Sequence, residues 1–154
     1  MKWVTREHTK VDRVACPWLI QKFIDKGAEF LFVPADQVLE TAKRVGGKSY
    51  DMKGADYHHQ NLPEGEVCTF VTIMREHGLW GKDKALDEVA KIVNHADTSK
   101  ETSAYHVPEG DGLNAIAHGF ALVCDDDHQK LKLEFPMYDA LYAYCQQKLV
   151  KGKS

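Results

Sequence analysis

The stretch that decides the fold is residues 2–33, KWVTREHTKVDRVACPWLIQKFIDKGAEFLFV. Its first five residues, Lys2–Arg6, are rich in β-formers and predict a short strand. Asp12–Lys26 carries apolar residues at helical spacing, and Gly27 ends that helix. Glu29–Val33 is almost continuously apolar, which is typical of a buried strand. Strand, helix and strand with short links predict a right-handed parallel crossover.

The start of the first helix has two interpretations. Asp12 can be the capping residue, which leaves Pro17 just beyond the first turn. Alternatively, Pro17 occupies the first helical position and Cys16 is the cap, because proline is favoured there. The sequence alone leaves both open.

The remaining elements complete the predicted architecture. A second helix opens at Pro34 and ends at Gly46-Gly47, and Lys48–Met52 is a third strand. After a polar loop at Gly54–Glu66, helices are predicted at Thr69–His77, Lys82–Ala96, Gly112–Val123 and Asp126–Lys148, the last kinked or split at Pro136. The sequence therefore predicts an α+β fold that is predominantly helical. Its small N-terminal three-stranded βαβ-type sheet packs against a helical C-terminal half, within a single domain spanning residues 1–154.

Composition excludes several classes of function. The chain is 44% hydrophobic and 28% charged with a net charge of -3, so no basic face dominates and direct nucleic-acid binding is not expected for this chain alone. The longest apolar stretch, Leu113–Cys124, is too short to cross a bilayer, and no signal peptide is evident. Four widely spaced cysteines without a CxxC pair indicate reduced thiols. We expect a soluble cytoplasmic protein without a membrane partner, and a homodimer is compatible with the sequence.

A basic cluster follows the first strand. Arg6, Lys10 and Arg13 can converge where a helix N-terminus adds its own positive field, which suits a tetrahedral oxyanion. If Cys16 caps the helix, the same field favours its thiolate and makes it a redox candidate. Otherwise Arg13 pairs with Asp12 at the surface, and Cys16 is a small core residue.

Histidines and aspartates scattered along the chain suggest a metal site. His59, Asp97, His128 and Asp127 can together form a mixed nitrogen and oxygen site for zinc, manganese or iron if folding brings them together. Each also has a simple structural explanation, as a solvated loop histidine, a capping turn or a helix first turn. Adjacent residues on an extended segment face opposite ways, so only one of His58 and His59 is expected to bind an ion.

Several motifs resemble one known family. They are Lys2–Arg6, Lys10–Ile20, Phe23–Asp25, Glu29–Pro34, the His59 loop leading to Cys68–Phe70, Ala96–Thr98, Asp126–His128 and Tyr138–Cys145. Over almost its whole length the chain resembles the chromate-resistance family, the C-terminal domain of ChrB-type proteins. The resemblance implies a bacterial role in chromate resistance or in the response to chromate. Full-length relatives carry a further N-terminal region, and a DNA-binding role of that region is not carried over.

Three functions compete at this point. The leading one is a chromate-response domain that binds an oxyanion such as chromate, or a metal, and supports resistance. The second is a metal-dependent enzyme with a mixed His/Asp site and a divalent transition metal as cofactor. The third is a helical protein-interaction module with an exposed apolar patch near Leu79 and Trp80. The sequence does not separate binding from turnover, and a protein without any cofactor also fits it.

Overall fold

A computed structural model describes residues 1–152 and confirms the predicted α+β class. Strand β1 (Lys2–Arg6) lies at the centre of a three-stranded parallel sheet. It pairs with β2 (Glu29–Val33) on one side and with β3 (Lys48–Ser49) on the other, which gives the strand order β2-β1-β3. The chain therefore leaves β1 towards one side of the sheet and later returns to the other.

The first helix begins at Asp12, the first residue of the predicted span Asp12–Lys26, but neither Asp12 nor Cys16 is its capping residue. Helix α1 spans Asp12–Leu19 and continues as a π-helical turn, Ile20–Ile24. Asp12 is its first residue, and no side chain caps it. Pro17 lies inside the helix, where its missing amide hydrogen leaves the carbonyl of Arg13 without the usual helical donor.

Helices cover both faces of the small sheet. Trp3 of β1 faces the main core, which includes Val14, Trp18 and Phe70. The next residue, Val4, faces the opposite side and packs on the second helix, α2 (Val38–Val45), which a 3₁₀ turn at Ala35–Gln37 precedes. This alternation follows from the two-residue period of a strand, so one buried strand joins two apolar layers.

The polar loop predicted at Gly54–Glu66 contains a hairpin. Strands β4 (Gln60–Leu62) and β5 (Gly65–Val67) pair in antiparallel fashion. Both strands are short and polar, so they lack the apolar alternation that identifies a strand in a sequence. Tertiary hydrogen bonds hold β5 instead: the Glu66 amide donates to the Thr102 carbonyl, and the Ala104 amide donates to the Glu66 carbonyl.

The helical half matches the prediction closely. Its helices are α3 (Thr69–Glu76), α4 (Lys84–Asp97), α5 (Glu109–Val123) and α6 (Asp127–Gly152). Pro136 lies within α6 without splitting it. Among the described residues, no helix combines the length and apolar character needed to cross a membrane.

The surface expected near Leu79 and Trp80 is occupied by the protein itself. Both residues are partly buried against the main core. The Trp80 ring stacks on Tyr105 at a centroid distance of 5.8 Å, and the Arg75 guanidinium lies 5.0 Å from the Trp80 ring centroid. Leu79 and Trp80 are therefore not among the strongly exposed apolar side chains of the described chain.

The contact between α4 and α5 requires a glycine at position 110. A Cβ atom there would lie 2.6 Å from Cβ of His95. The His95 ring cannot easily move away, because its Nδ1 accepts the Val107 amide and its Nε2 lies 2.9 Å from Asp111 Oδ1. We expect Gly110→Ala to lower the free energy of unfolding by about 1–3 kcal/mol, measured by urea denaturation.

Gly112 provides the matched control, since a Cβ at that position meets no atom within 4 Å. Gly112→Ala should raise the free energy of unfolding by about 0.5–1 kcal/mol, because alanine is the better helix former. Equal effects of the two substitutions would contradict this account of the α4–α5 contact.

Glu134 of α6 is a buried carboxyl group whose Oε1 has no hydrogen-bond partner. Burial raises its pKa from 4.5 to about 8, although Lys130 acts in the opposite direction. Between these two values the folded protein holds a proton that the unfolded chain releases, so stability should fall as the pH rises through this window. Glu134→Gln should remove the part of that dependence that Glu134 contributes and raise the free energy of unfolding at pH 8 by about 1–3 kcal/mol. Denaturation from pH 5 to pH 8 tests this, with the exposed Glu101→Gln as the control that keeps the slope.

Candidate metal centre

Four side chains from distant parts of the chain converge beside the parallel sheet. One potential ligand atom from each of Asp12, Asp51, His59 and Asp97 lies within 4.8 Å of the others. Nε2 of His59 is 3.5 Å from Asp12 Oδ2, 3.3 Å from Asp51 Oδ1 and 3.0 Å from Asp97 Oδ2. We call these four residues the Asp3His cluster. It places three carboxylates around one imidazole.

The topology of the sheet positions two of the carboxylates. Asp12 follows the carboxyl end of β1, and Asp51 follows that of β3. The strand order reverses between these neighbours, and the crevice at such a point is the usual ligand site of open parallel sheets. Asp51 has a left-handed backbone with φ of 61°, a conformation that is uncommon outside glycine and often occurs at functional sites.

Asp12 joins the cluster to the helical half of the protein. Its carboxylate is 1% exposed and accepts hydrogen bonds from the amides of Thr69 (2.8 Å) and Phe70 (3.3 Å). These amides are the first two of α3, so Asp12 caps α3 rather than its own helix. The contact spans 57 residues of sequence and fixes the carboxylate beside His59.

Asp51 is held from several directions. Thr69 Oγ1 donates to Asp51 Oδ1 at 3.0 Å, and Arg13 Nε lies 3.4 Å from Asp51 Oδ2. Burial raises the pKa of Asp51, and the nearby charge of Asp12 adds to this, while His59 and Arg13 oppose it. The Asp51 carboxylate therefore contacts two cationic side chains, Arg13 and His59, and these contacts restrict its rotation.

His59 and Asp97 complete the cluster from the hairpin and from α4. His59 directly precedes β4, and its Nδ1 lies 3.6 Å from Glu66 Oε2, within ion-pair distance. Asp97 is the last residue of α4. One turn earlier, the buried Asn94 accepts the Cys68 amide at 2.6 Å and donates to the Glu66 carbonyl at 3.1 Å. Asn94 thus ties the end of α4 to both β5 and the start of α3.

The electrostatics of the cluster favour a central positive charge. Burial alone would lower the pKa of His59, but its close contacts with the carboxylates of Asp12, Asp51 and Asp97 outweigh burial and raise it. Burial and the neighbouring Asp12 raise the pKa of Asp97 to about 8. The imidazolium relieves the repulsion among the carboxylates, and a divalent cation would relieve it more strongly.

Two of the metal ligands predicted from the sequence lie in the cluster, and two residues were missed. His59 and Asp97 meet as the hypothesis required. Asp12 and Asp51 were not predicted as ligands, although each follows the carboxyl end of a parallel strand, which is the signal that could have identified them. His58 is exposed, and its Nδ1 lies 2.7 Å from the His59 carbonyl oxygen.

Asp127 and His128 lie outside the cluster. Asp127 accepts hydrogen bonds from the His8 amide (2.9 Å), the Thr9 amide (2.8 Å) and the Thr9 hydroxyl (2.9 Å). Burial opposes ionisation of Asp127, but these hydrogen bonds outweigh it and lower the pKa. His128 is exposed and packs edge-on against Phe32, with ring centroids 5.1 Å apart. Asp127 therefore anchors the loop after β1 to α6.

The three residues of the predicted basic cluster, Arg6, Lys10 and Arg13, line one cavity beside the Asp3His cluster. Arg6 Nη2 donates to the Asp51 carbonyl at 2.9 Å, and Arg13 Nη1 donates to the Glu7 carbonyl at 3.1 Å, so both guanidiniums have acceptors within the protein. Burial lowers the pKa of Arg13, although Asp51 opposes this effect. Lys10 is exposed and forms no hydrogen bond or ion pair with any residue of the described chain. It is the member of the trio whose side chain has no acceptor among the described residues.

Cys16 lies beneath the cluster rather than at a helix terminus. Its side chain is fully buried, and its thiol donates to Asp12 Oδ1 at 3.4 Å. Burial and the charge of Asp12 raise the pKa of this thiol well above its usual value. The environment favours the protonated thiol, which is a poor nucleophile and reductant.

Two cavities flank the Asp3His cluster. Both are lined by Arg6, Asp51 and His59. Cavity A, of about 350 Å³, is further lined by Lys10, Val11, Asp12, Arg13, Ala96, Asp97, Asn114 and His118. Cavity B, of about 490 Å³, is further lined by Ala35, Met52, Lys53 and His58. The Asp3His cluster thus lies between cavity A and cavity B and is accessible from both.

Comparison with known proteins assigns the chain to a family. A family model described as "ChrB, C-terminal domain" matches residues 3–145. The Protein ChrB of Cupriavidus metallidurans is 30% identical over 143 residues, which cover 93% of this chain and 40% of that relative. The chain thus spans about two fifths of the length of that relative, and no solved structure matches it. With almost every described element inside the matched region, the chain belongs to the family of ChrB C-terminal domains.

Proposed function

We propose that this domain supports chromate resistance by binding a divalent transition-metal ion in the Asp3His cluster and presenting that ion to a small oxyanion in cavity A. Membership of the ChrB family suggests the link to chromate resistance. The observation that carries the proposal is the convergence of three carboxylates and one imidazole within 4.8 Å. The chain covers only 40% of the ChrB relative, so a role in chromate resistance is itself a proposal for this chain.

The spacing of the cluster suits a transition metal. Bonds of about 2.0–2.1 Å to a central ion place neighbouring ligand atoms about 2.9–3.4 Å apart, depending on geometry. The distances from His59 Nε2 to the three carboxylates, 3.0–3.5 Å, are close to that range. Three oxygen ligands and one imidazole nitrogen favour manganese, iron or zinc over calcium, which takes oxygen ligands.

Anion binding should depend on the metal. In the metal-free protein the imidazolium of His59 and the guanidiniums of Arg6 and Arg13 balance the three carboxylates of the cluster, so no net local charge attracts chromate. A divalent ion bound by a neutral His59 changes this local balance to one positive charge. Lys10, which also lines cavity A, adds a further cation next to the open side of the ion.

A metal-dependent enzyme is the second candidate function, and His118 is the observation that favours it. His118 lines cavity A, and its Nδ1 lies 2.8 Å from the Asn114 carbonyl oxygen. Because a carbonyl oxygen can only accept a hydrogen bond, Nδ1 is the donor to Asn114, and Nε2 has no partner among the described residues. A base beside a Lewis-acidic ion is a common catalytic pair.

Metal titration of the purified protein tests the cluster directly. We expect one equivalent of Mn²⁺ or Zn²⁺ to bind, and both His59→Ala and Asp97→Asn to weaken binding at least about 100-fold, because each removes a ligand. Calorimetry gives the affinities, and elemental analysis gives the stoichiometry. His128→Ala is the matched control and should bind as the unaltered protein does, since His128 lies outside the cluster.

The stability of the metal-free variants separates ligand loss from unfolding. Asp97→Asn should leave the metal-free melting temperature unchanged or higher, because it removes repulsion among the carboxylates. Unaltered metal affinity in both cluster variants, or an equal loss in His128→Ala, would refute the proposed metal centre.

Chromate binding to metal-loaded and metal-free protein tests the oxyanion part. We expect measurable affinity only with the metal present, and a loss of about 3–10-fold in Lys10→Gln, as for one exposed cation next to an anion. Lys26→Gln is the control, because Lys26 is exposed and does not line cavity A. Calorimetry with sulfate as a non-oxidising analogue checks that binding, rather than oxidation, is measured. Equal affinity in the metal-free protein would contradict the proposed route.

A further inference from the structure

We propose that cavity B is a binding site for a small organic anion, an acid group on a short apolar tail, with Lys53 and Arg6 as its charge partners. This site differs from the proposed oxyanion site in cavity A. It requires no metal ion, so it does not depend on the proposed function.

The position of cavity B is the first argument. Arg6 is the last residue of β1, Ala35 follows β2, and Met52 and Lys53 follow β3. The cavity therefore lies outside the carboxyl ends of all three parallel strands. The strand order β2-β1-β3 reverses at β1, and open parallel sheets bind their ligands in the crevice at such a reversal.

Charge is the second argument. Lys53, Arg6 and the imidazole of His58 line cavity B, while Asp51 is the only carboxylate among the described residues of the lining. Asp51 is within ion-pair distance of Arg6, Arg13 and His59, so the positive charge without a partner is that of Lys53. Lys53 is exposed and forms no hydrogen bond or ion pair within residues 1–152. The lining therefore presents unbalanced positive charge, which favours an anionic ligand.

Size and apolar surface are the third argument. A cavity of about 490 Å³ falls within the range of about 300–1,000 Å³ typical of small-molecule sites, and one tetrahedral oxyanion would fill only a small part of it. Ala35 and Met52 supply apolar surface next to the cationic residues. The flexible thioether of Met52 can adapt to a short alkyl chain. An acid group with an apolar tail matches both parts of the lining.

Amide NMR titration of the metal-free protein with butyl phosphate and butyrate tests the site. We expect saturable shifts of the Ala35, Met52 and Lys53 amides with at least one of these two anions. The bound anion should bind at least about fivefold tighter than its counterpart without the tail, inorganic phosphate or formate, because burial of apolar carbon contributes. Butylammonium has the same tail with the opposite charge and should cause no saturable shift of these amides.

Charge reversal identifies the residue responsible. Lys53→Glu should weaken the binding of the same anion at least about tenfold, since it replaces attraction by repulsion. Lys43→Glu is the matched control on α2, because Lys43 is exposed and does not line cavity B. The site is refuted if both anions leave cavity B unshifted, if shifts centre on Asn114 and His118 of cavity A, or if Lys53→Glu binds normally. Because no metal is present, failure of the metal centre would leave this result unaffected.

Discussion

The hydrogen bonds of the Asp12 carboxylate with the start of α3 are the interaction on which the rest of this structure depends. Asp12 stands at the beginning of α1 in the α/β layer, and the amides of Thr69 and Phe70 belong to the helical half. The same carboxylate faces His59. One buried group thus closes a helix terminus, joins two layers and shapes the cluster, so the fold and the candidate site cannot be separated.

The Asp3His cluster lowers the stability of the folded protein. Three buried or half-buried carboxylates repel one another, and burial raises the pKa of both Asp51 and Asp97. Arg13 beside Asp51 and the imidazole of His59 offset part of this cost. A chain selected only for stability would replace such a group by apolar residues. The cluster lies at the reversal point of the sheet, where a bound cation would relieve this repulsion.

The sequence predicted the local elements far better than the site. The crossover from β1 to β2 and the later helices follow from apolar periodicity, which a chain carries locally. Asp51 was missed because it lay inside a segment predicted as strand, whereas β3 ends at Ser49 and the backbone turns into a left-handed conformation at Asp51. Asp12 was missed because a cap on its own helix already explained it. Contacts across 57 residues leave no periodic signal that could correct either interpretation.

Asp127 illustrates what the scattered aspartate and histidine motifs of the sequence indicate, namely contacts between distant segments. It was predicted as a ligand, and it instead holds the amides of His8 and Thr9, in the loop between Arg6 and Arg13. His8 adopts a left-handed φ of 62° in that loop. This conformation is unfavourable for a residue with a side chain, so contacts with the surrounding structure must stabilise it. Through this loop, the start of α6 helps to determine where the guanidiniums of Arg6 and Arg13 lie relative to Asp51. A polar motif in a sequence thus indicates which segments meet, and the geometry decides which of its atoms face a ligand and which support the residues that do.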